Sequence, residues 1–273
     1  MNQHGAADLL LAARRVLLDA MDALYEHRSA LVLVGAQAIY LHTGNVRIAL
    51  AESTKDSDFA IDPRKLRDAP LLEEAMRRSG FTHNAVDPQP GSWLSSDGVP
   101  VDLMVPEQLA GAGSRRSGRI APHSDRATRR TNGLEAAVID HAPMLIKALD
   151  PTDARTIEMN VAGPAALLIA KLHKLGEREA APSRLLDKDA HDVYRLLVAT
   201  ESAAVAATLR RLLEHALSDR VTRDALVYLQ KLFAAGPDAL GSTMAGRAEQ
   251  LVGSPATVSA SASALAADLL ALL

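Results

Sequence analysis

Three aspartates occupy the positions where this chain could do chemistry. Asp56 and Asp58 stand two apart in Thr54-Lys55-Asp56-Ser57-Asp58-Phe59-Ala60-Ile61, and Asp102 lies inside the apolar run Pro100-Val101-Asp102-Leu103-Met104-Val105. On a strand, residues two apart point to the same face. If the strand carrying Asp102 lies beside the first, three carboxylates converge on one spot and repel one another unless a cation joins them. A ligand set made only of oxygen suits magnesium, and metal-assisted phosphoryl transfer uses such sites to activate an attacking oxygen and stabilise a leaving one. Upstream, Val34-Gly35-Ala36-Gln37-Ala38-Ile39-Tyr40 sets a glycine between an apolar run and a helical pattern. Glycine at that place lets backbone N–H groups approach a phosphate at a helix N-terminus. An acidic pair at a strand end is otherwise solvated surface or a cap. The whole order, from strand through glycine and helix to the Asp-x-Asp strand and the lone Asp in an apolar strand, favours a site.

The elements that must position these residues follow from hydrophobic period. Leu9, Leu10, Ala13, Val16, Leu17, Ala20 and Leu24 recur at helical spacing over 6–26. Ala30–Val34 reads as a buried strand, and Ala36–Leu41 as a helix stopped by Thr43-Gly44-Asn45. Phe59–Ile61 reads as a second strand. Asp62-Pro63 predicts a cap with proline at the first helical position, a helix running on to Arg78, and Gly80 as its C-terminal cap. Residues 87–98 and 111–133 read as loops, the second one mobile, with Val99–Val105 a third strand between them. Leu134–Leu149 contains strand-like runs broken at Pro143, and Thr156–Val161 is a further strand. From Gly163 the pattern is helical almost to the end, with turn signals near Pro182, Gly236-Pro237 and Gly253-Ser254-Pro255. The expected fold class is α+β: a mixed sheet flanked by helices over 1–161, followed by an all-α helical half over 162–273.

Composition narrows the function classes. The 273 residues are 48% hydrophobic and 23% charged, as in an ordinary globular protein able to bury a core. Aromatic residues make up only 3%, which argues against a stacking platform for single-stranded nucleic acid. The absence of cysteine removes disulfides, thiolate metal sites and cysteine nucleophiles. A net charge of -3 disfavours a simple DNA-coating role. No run approaches the roughly 18 apolar residues of a membrane span. The short run Leu9–Ala13, followed by Arg14 and Arg15, does not read as a secretory leader, so a cytoplasmic protein without membrane association is expected.

A second block of charge lies in the helical half. Leu168, Leu172 and Leu175 form an apolar stripe, and Lys171, Lys174 and Arg178 form the stripe beside it. In the next helix Ala190, Val193 and Leu197 form the buried stripe, while Asp189 and Asp192 share a flank. Those aspartates either pair with the lysine stripe across the helices or serve a site. His173 and His191 lack metal-ligand spacing and read as hydrogen-bonding or packing residues. Trp93 reads as a loop anchor. Ser114, Ser117 and Ser124 have no triad partners. Residues 111–133 hold Arg115, Arg116, Arg119, Arg126, Arg129 and Arg130 against the single acid Asp125, a segment suited either to a nucleic-acid backbone or to simple solubility.

Taken together, these motifs resemble the nucleotidyltransferase superfamily, and within it the AbiEii/MenT-type toxins of type IV toxin–antitoxin systems. The resemblance spans about residues 31–197, resting on the glycine motif, Asp56-Ser57-Asp58, Asp102, Ala170-Lys171-Leu172-His173-Lys174 and Lys188-Asp189-Ala190-His191-Asp192. It implies a magnesium-dependent enzyme that moves a nucleoside monophosphate from an NTP to an acceptor hydroxyl. In some members the acceptor is the 3′ end of tRNA. Carried over, Asp56 and Asp58 would bind the metal together with Asp102, which would also activate the acceptor. Gly35, Ala36 and Gln37 would sit in the phosphate loop, with Lys55 before the acidic pair. Lys171 would contact the nucleotide phosphates, with Lys174 close by, and Asp189 and Asp192 would complete the site. A cognate antitoxin protein is the implied partner. The superfamily usually has Gly-Gly or Gly-Ser where this chain has Gly35-Ala36, so a hydroxyl contact is lost while the backbone donors remain. Two other functions fit the same motifs: a nucleotidyltransferase acting on a small molecule such as an antibiotic, and a non-catalytic descendant that binds nucleotide or a partner.

Overall fold

In a computed structural model, which describes residues 3–44, 56–86, 88–112, 116–250 and 253–273, the strands of the N-terminal half join one mixed sheet. The order along the chain is α1 (Gln3–Ala23), β1 (Leu31–Val34), α2 (Gly35–Thr43), β2 (Ser57–Ile61), α3 (Leu72–Arg78), β3 (Thr82–His83), β4 (Ser92–Leu94), β5 (Pro100–Pro106), β6 (Arg129–Thr131), β7 (His141–Lys147) and β8 (Thr156–Ala162). The helices α4 (Pro164–Gly176), α5 (Asp187–Ala199), α6 (Ser202–Glu214), α7 (Asp219–Leu229), α8 (Leu240–Ala248) and α9 (Pro255–Ala271) follow. The fold class is therefore α+β, with helices flanking the sheet and several more at the C-terminal end. Among the described residues, no helix is long and apolar enough to cross a membrane.

Two compact units divide the chain. One comprises Met1–Ala38, Ser53–Leu134 and His141–Ala162, the other Ile39–Glu52, Glu135–Asp140 and Gly163–Leu273. The second unit includes two short segments from the N-terminal half.

In the first unit the strands run β3-β4-β5-β2-β1-β8-β7, with β6 also on β5. β1 is antiparallel to β2, whereas β2 is parallel to β5 and β1 is parallel to β8. α1 covers one face. Its Ala13, Val16, Leu17, Ala20 and Leu24 are buried, as the helical spacing requires, and Ser57 Oγ on β2 donates to the Ala13 carbonyl at 3.4 Å. Phe59, Ile61, Val101 and Leu103 share the parity of Ser57 in their registered strands and are buried as well. Alternation therefore turns Asp58 and Asp102 to the opposite face.

Four local expectations are corrected. Asp62-Pro63 opens a turn instead of a long helix. Asp62 accepts from Arg64 Nε and Nη2 at 2.8 and 2.9 Å, and α3 starts only at Leu72. Pro70 explains the delay, because proline offers no N–H to a helix interior and biases Ala69 away from helical geometry. The run 87–98 contains β4, because Trp93 is wholly buried and its strand pairs with both β3 and β5. The arginine-rich run 111–133 contains β6, held on β5 with Arg129 opposite Met104. Finally, β7 runs straight through Pro143. Among the described residues it ends the sheet order, so one side of its backbone has no strand to bond and a missing N–H costs nothing there. Gly80 does close α3: at φ +85° its N–H reaches the Arg77 carbonyl and that of Phe81 reaches Met76, both at 3.0 Å.

In the second unit α4 packs on α5 and α7, and α8 packs on α5 and α9. Leu168, Leu172 and Leu175 of α4 and Ala190, Val193 and Leu197 of α5 are all buried, matching the apolar stripes in the sequence.

Candidate active site

β1 delivers the chain to Gly35, the first residue of α2, and β2 runs back beside it so that Val34 faces Asp58. Gly35 has φ +70°, and a Cβ placed on it would stand 2.1 Å from Asp58 Oδ2. Only glycine meets both conditions. The Asp58 carboxylate thus rests on the backbone at the positive end of a nine-residue helix, where negative charge is stabilised. Asp58 is also in register with Asp102 on the parallel neighbour β5. Adjacent strands lie about 4.8 Å apart, so two half-buried carboxylates stand side by side on the face turned away from α1.

Arg129 of β6 closes this row. Its Nη2 donates to Asp102 Oδ2 at 2.5 Å, and both side chains are only about one-fifth exposed (22% and 20%). Sequence reading placed Arg129 among loop arginines and missed it as the counter-ion of Asp102. The available signal was the Arg129-Arg130-Thr131 run that becomes β6. Gly91 makes the junction possible: at φ +72°, its missing Cβ would stand 2.2 Å from the Leu103 carbonyl oxygen and 2.6 Å from the Arg129 nitrogen.

The other expected residues of this region are distributed differently. Asp56 is half-buried one residue before β2. Among the described residues, no group of three or more histidines or carboxylates converges in a metal-holding geometry. The acidic centre seen here is the pair Asp58 and Asp102. Lys55 lies outside the described residues. Ala36 and Gln37 are buried. Gln37 Oε1 accepts from Arg14 Nε at 3.1 Å and its Nε2 donates to Ser57 Oγ at 3.3 Å. Arg14 Nη1 also donates to the Lys147 carbonyl at 2.9 Å, and burial lowers the pKa of its guanidinium. Gln37 therefore ties the first turn of α2 to α1 and β2, leaving Gly35 to bring backbone toward the carboxylates.

In the second unit, Lys171, Lys174, Asp189 and Asp192 form one ion cluster between α4 and α5. Lys171 Nζ reaches Asp189 Oδ1 at 2.8 Å and Asp192 Oδ2 at 2.6 Å, Lys174 Nζ reaches Asp189 Oδ1 at 2.9 Å, and Arg178 lies 3.7 Å from Asp189 Oδ2. Burial alone would lower the pKa of Lys171, but Asp189 and Asp192 outweigh it and raise the ammonium well above its usual range. Burial alone would raise Asp189, but Lys171 and Lys174 outweigh it and hold that carboxyl far below the usual carboxylate range. Pairing across the two helices is thus what these four residues do in the folded chain.

Arg195, a buried residue of α5 that sequence reading did not single out, donates to Thr43 Oγ1 at 3.0 Å and lies 5.2 Å from the Tyr40 ring centroid. His173 donates to the Val221 carbonyl at 2.8 Å, and His191 pairs with Glu249 at 2.8 Å. Trp93 stacks on His83 with centroids 3.9 Å apart. In the arginine-rich segment Arg116, Arg119 and Arg126 are exposed, and Arg130 donates to the Ala110 and Gly111 carbonyls. Arg115 lies outside the described residues.

Oxygen-only donors of this kind are those a hard divalent cation takes. Two oxygen-only ligands stand in register on one face, and the space over Gly35 that a Cβ would fill is kept for the Asp58 carboxylate. Compared with known proteins, the chain matches no protein-family model, no curated protein and no solved structure.

Proposed function

We propose that the chain is a nucleotidyltransferase that moves a nucleoside monophosphate from an NTP to an acceptor hydroxyl, with the 3′ end of tRNA as acceptor. The observation that carries this reading is the pairing of Asp58 with Asp102 on adjacent parallel strands, with Gly35 bringing the start of α2 against Asp58. In this reading Asp58 and Asp102, with Asp56 beside them in sequence, would hold magnesium, which would supply charge neutralisation for the triphosphate. The backbone at Gly35 lets phosphate approach the N-terminus of α2. The acceptor oxygen attacks the α-phosphorus in line, the bond from that phosphorus to the β-phosphate oxygen breaks, and pyrophosphate leaves. Asp102 takes the proton of the attacking hydroxyl. The exposed Arg119 and Arg126, on the same unit as the carboxylates, support an RNA acceptor because guanidinium groups match phosphate oxygens.

Such a transfer would disable tRNA, so the physiological setting proposed is a toxin restrained by an antitoxin protein. The test incubates the protein with total tRNA, magnesium and each labelled NTP in turn. Label should enter RNA with at least one NTP and disappear with Asp58→Asn. No label with any NTP overturns the reading.

A further inference from the structure

We infer that Arg129 is the resident counter-cation of Asp102, and that a divalent cation competes with it for that carboxylate when the site loads. This rests on the metal-dependent reading above. Two carboxylates in register on neighbouring strands repel each other when both are ionised. Arg129 offsets that charge: its Nη2 lies 2.5 Å from Asp102 Oδ2, within the distance of a charge-assisted bond. Its position is built, because β6 holds Arg129 opposite Met104, two residues along β5 from Asp102 and on the same face. Gly91 gives the backbone of β6 room to pass. Arg129 occupies one oxygen of the Asp102 carboxylate, and its positive charge repels any cation that approaches the same group. Metal and Arg129 therefore compete for Asp102. The side chain released by loading keeps its charge and its fork of donors, and a phosphate oxygen of the substrate is the acceptor that such a fork matches. Arg129 is thus a positioning residue that couples metal loading to capture of phosphate.

The competition is read without turnover, by titrating manganese alone into the full chain and following water-proton relaxation. If the arginine-off state is about one-tenth populated, the apparent affinity is weakened about tenfold. Arg129→Gln should therefore bind manganese about tenfold more tightly than wild type. Arg129→Lys, which keeps the charge, should stay within about threefold of wild type. Arg126→Gln removes one charge from the same segment without touching Asp102 and should shift affinity less than about twofold. Should Arg129→Gln fail to fold, Arg129→Met takes its place. Equal or weaker binding by the neutral variant overturns the inference, as does equal tightening in Arg126→Gln. In both cases the metal-dependent reading survives. Absence of manganese binding in wild type and in every variant overturns both.

Discussion

The carboxylate of Asp58 lies where the side chain of any residue but glycine at position 35 would begin: a Cβ there would stand 2.1 Å from Oδ2. One contact thus joins the end of β1, the start of α2 and the central acidic residue of β2. Gly35→Ala should fail on two counts. The positive φ alone costs roughly 1–2 kcal/mol for a non-glycine residue, and Asp58 must also move. Urea unfolding should show the lost stability, and the labelled-nucleotide assay should show activity falling further than that loss explains.

Asp58→Asn and Asp102→Asn preserve shape and remove charge. Each should lower nucleotide transfer by about 10²–10³-fold, the scale for loss of one preorganised electrostatic group. Thermal unfolding should leave both variants folded. Neutralising Asp102 while Arg129 stays should also weaken manganese binding.

Lys171 makes a different prediction. It is the cation between two buried aspartates, so Lys171→Met takes the 2.6 Å ion pair from Asp192 and leaves Asp189 to Lys174 and Arg178, and should cost about 3–5 kcal/mol in denaturant unfolding. Lys171→Met combined with Asp189→Leu should recover part of that loss. Unchanged stability in the single variant would show that the cluster does not hold α4 on α5.

The same cluster sets an acid limb. Asp189 has a depressed pKa in the folded chain because Lys171 and Lys174 outweigh its burial. The unfolded chain therefore takes up protons first, near the ordinary aspartate pKa of about 3.9. The stabilisation is fully present above that pH and is lost as pH falls through the lower, folded value. Stability measured against pH should drop below about pH 4 in wild type, and more gently in Asp189→Asn.

Gln37 tests the support behind Gly35. Gln37→Ala leaves Arg14 Nε and Ser57 Oγ without their shared partner in a buried place. A buried donor left unsatisfied costs about 1–3 kcal/mol, which chemical denaturation should register.

Much of this arrangement is legible in residue order. The strand-glycine-helix step at Val34-Gly35, the strands that carry Asp58 and Asp102, and the apolar stripes of α4 and α5 are local patterns. What escaped was non-local. The segments 87–98 and 111–133 are polar and turn-rich, yet each yields a short strand because β5 offers an edge for both. A two- or three-residue strand has too few positions to show a period, so pairing decides it. The helix expected from Asp62 failed for a local reason, the proline at position 70, whose effect outweighed the apolar spacing around it.

Types and spacings alone determined that this chain has a sheet-bearing half and a helical half, that it does no cysteine chemistry, and that Asp56, Asp58 and Asp102 are the residues to watch. Only the tertiary structure decided their partners. Register placed Asp58 beside Asp102, a backbone approach placed it on Gly35, and a strand hidden in a basic segment gave Asp102 to Arg129. The reason is physical. Hydrophobic periodicity is written along the chain, whereas a charge is neutralised by whichever group the fold brings within about 3 Å, and sequence distance says nothing about that.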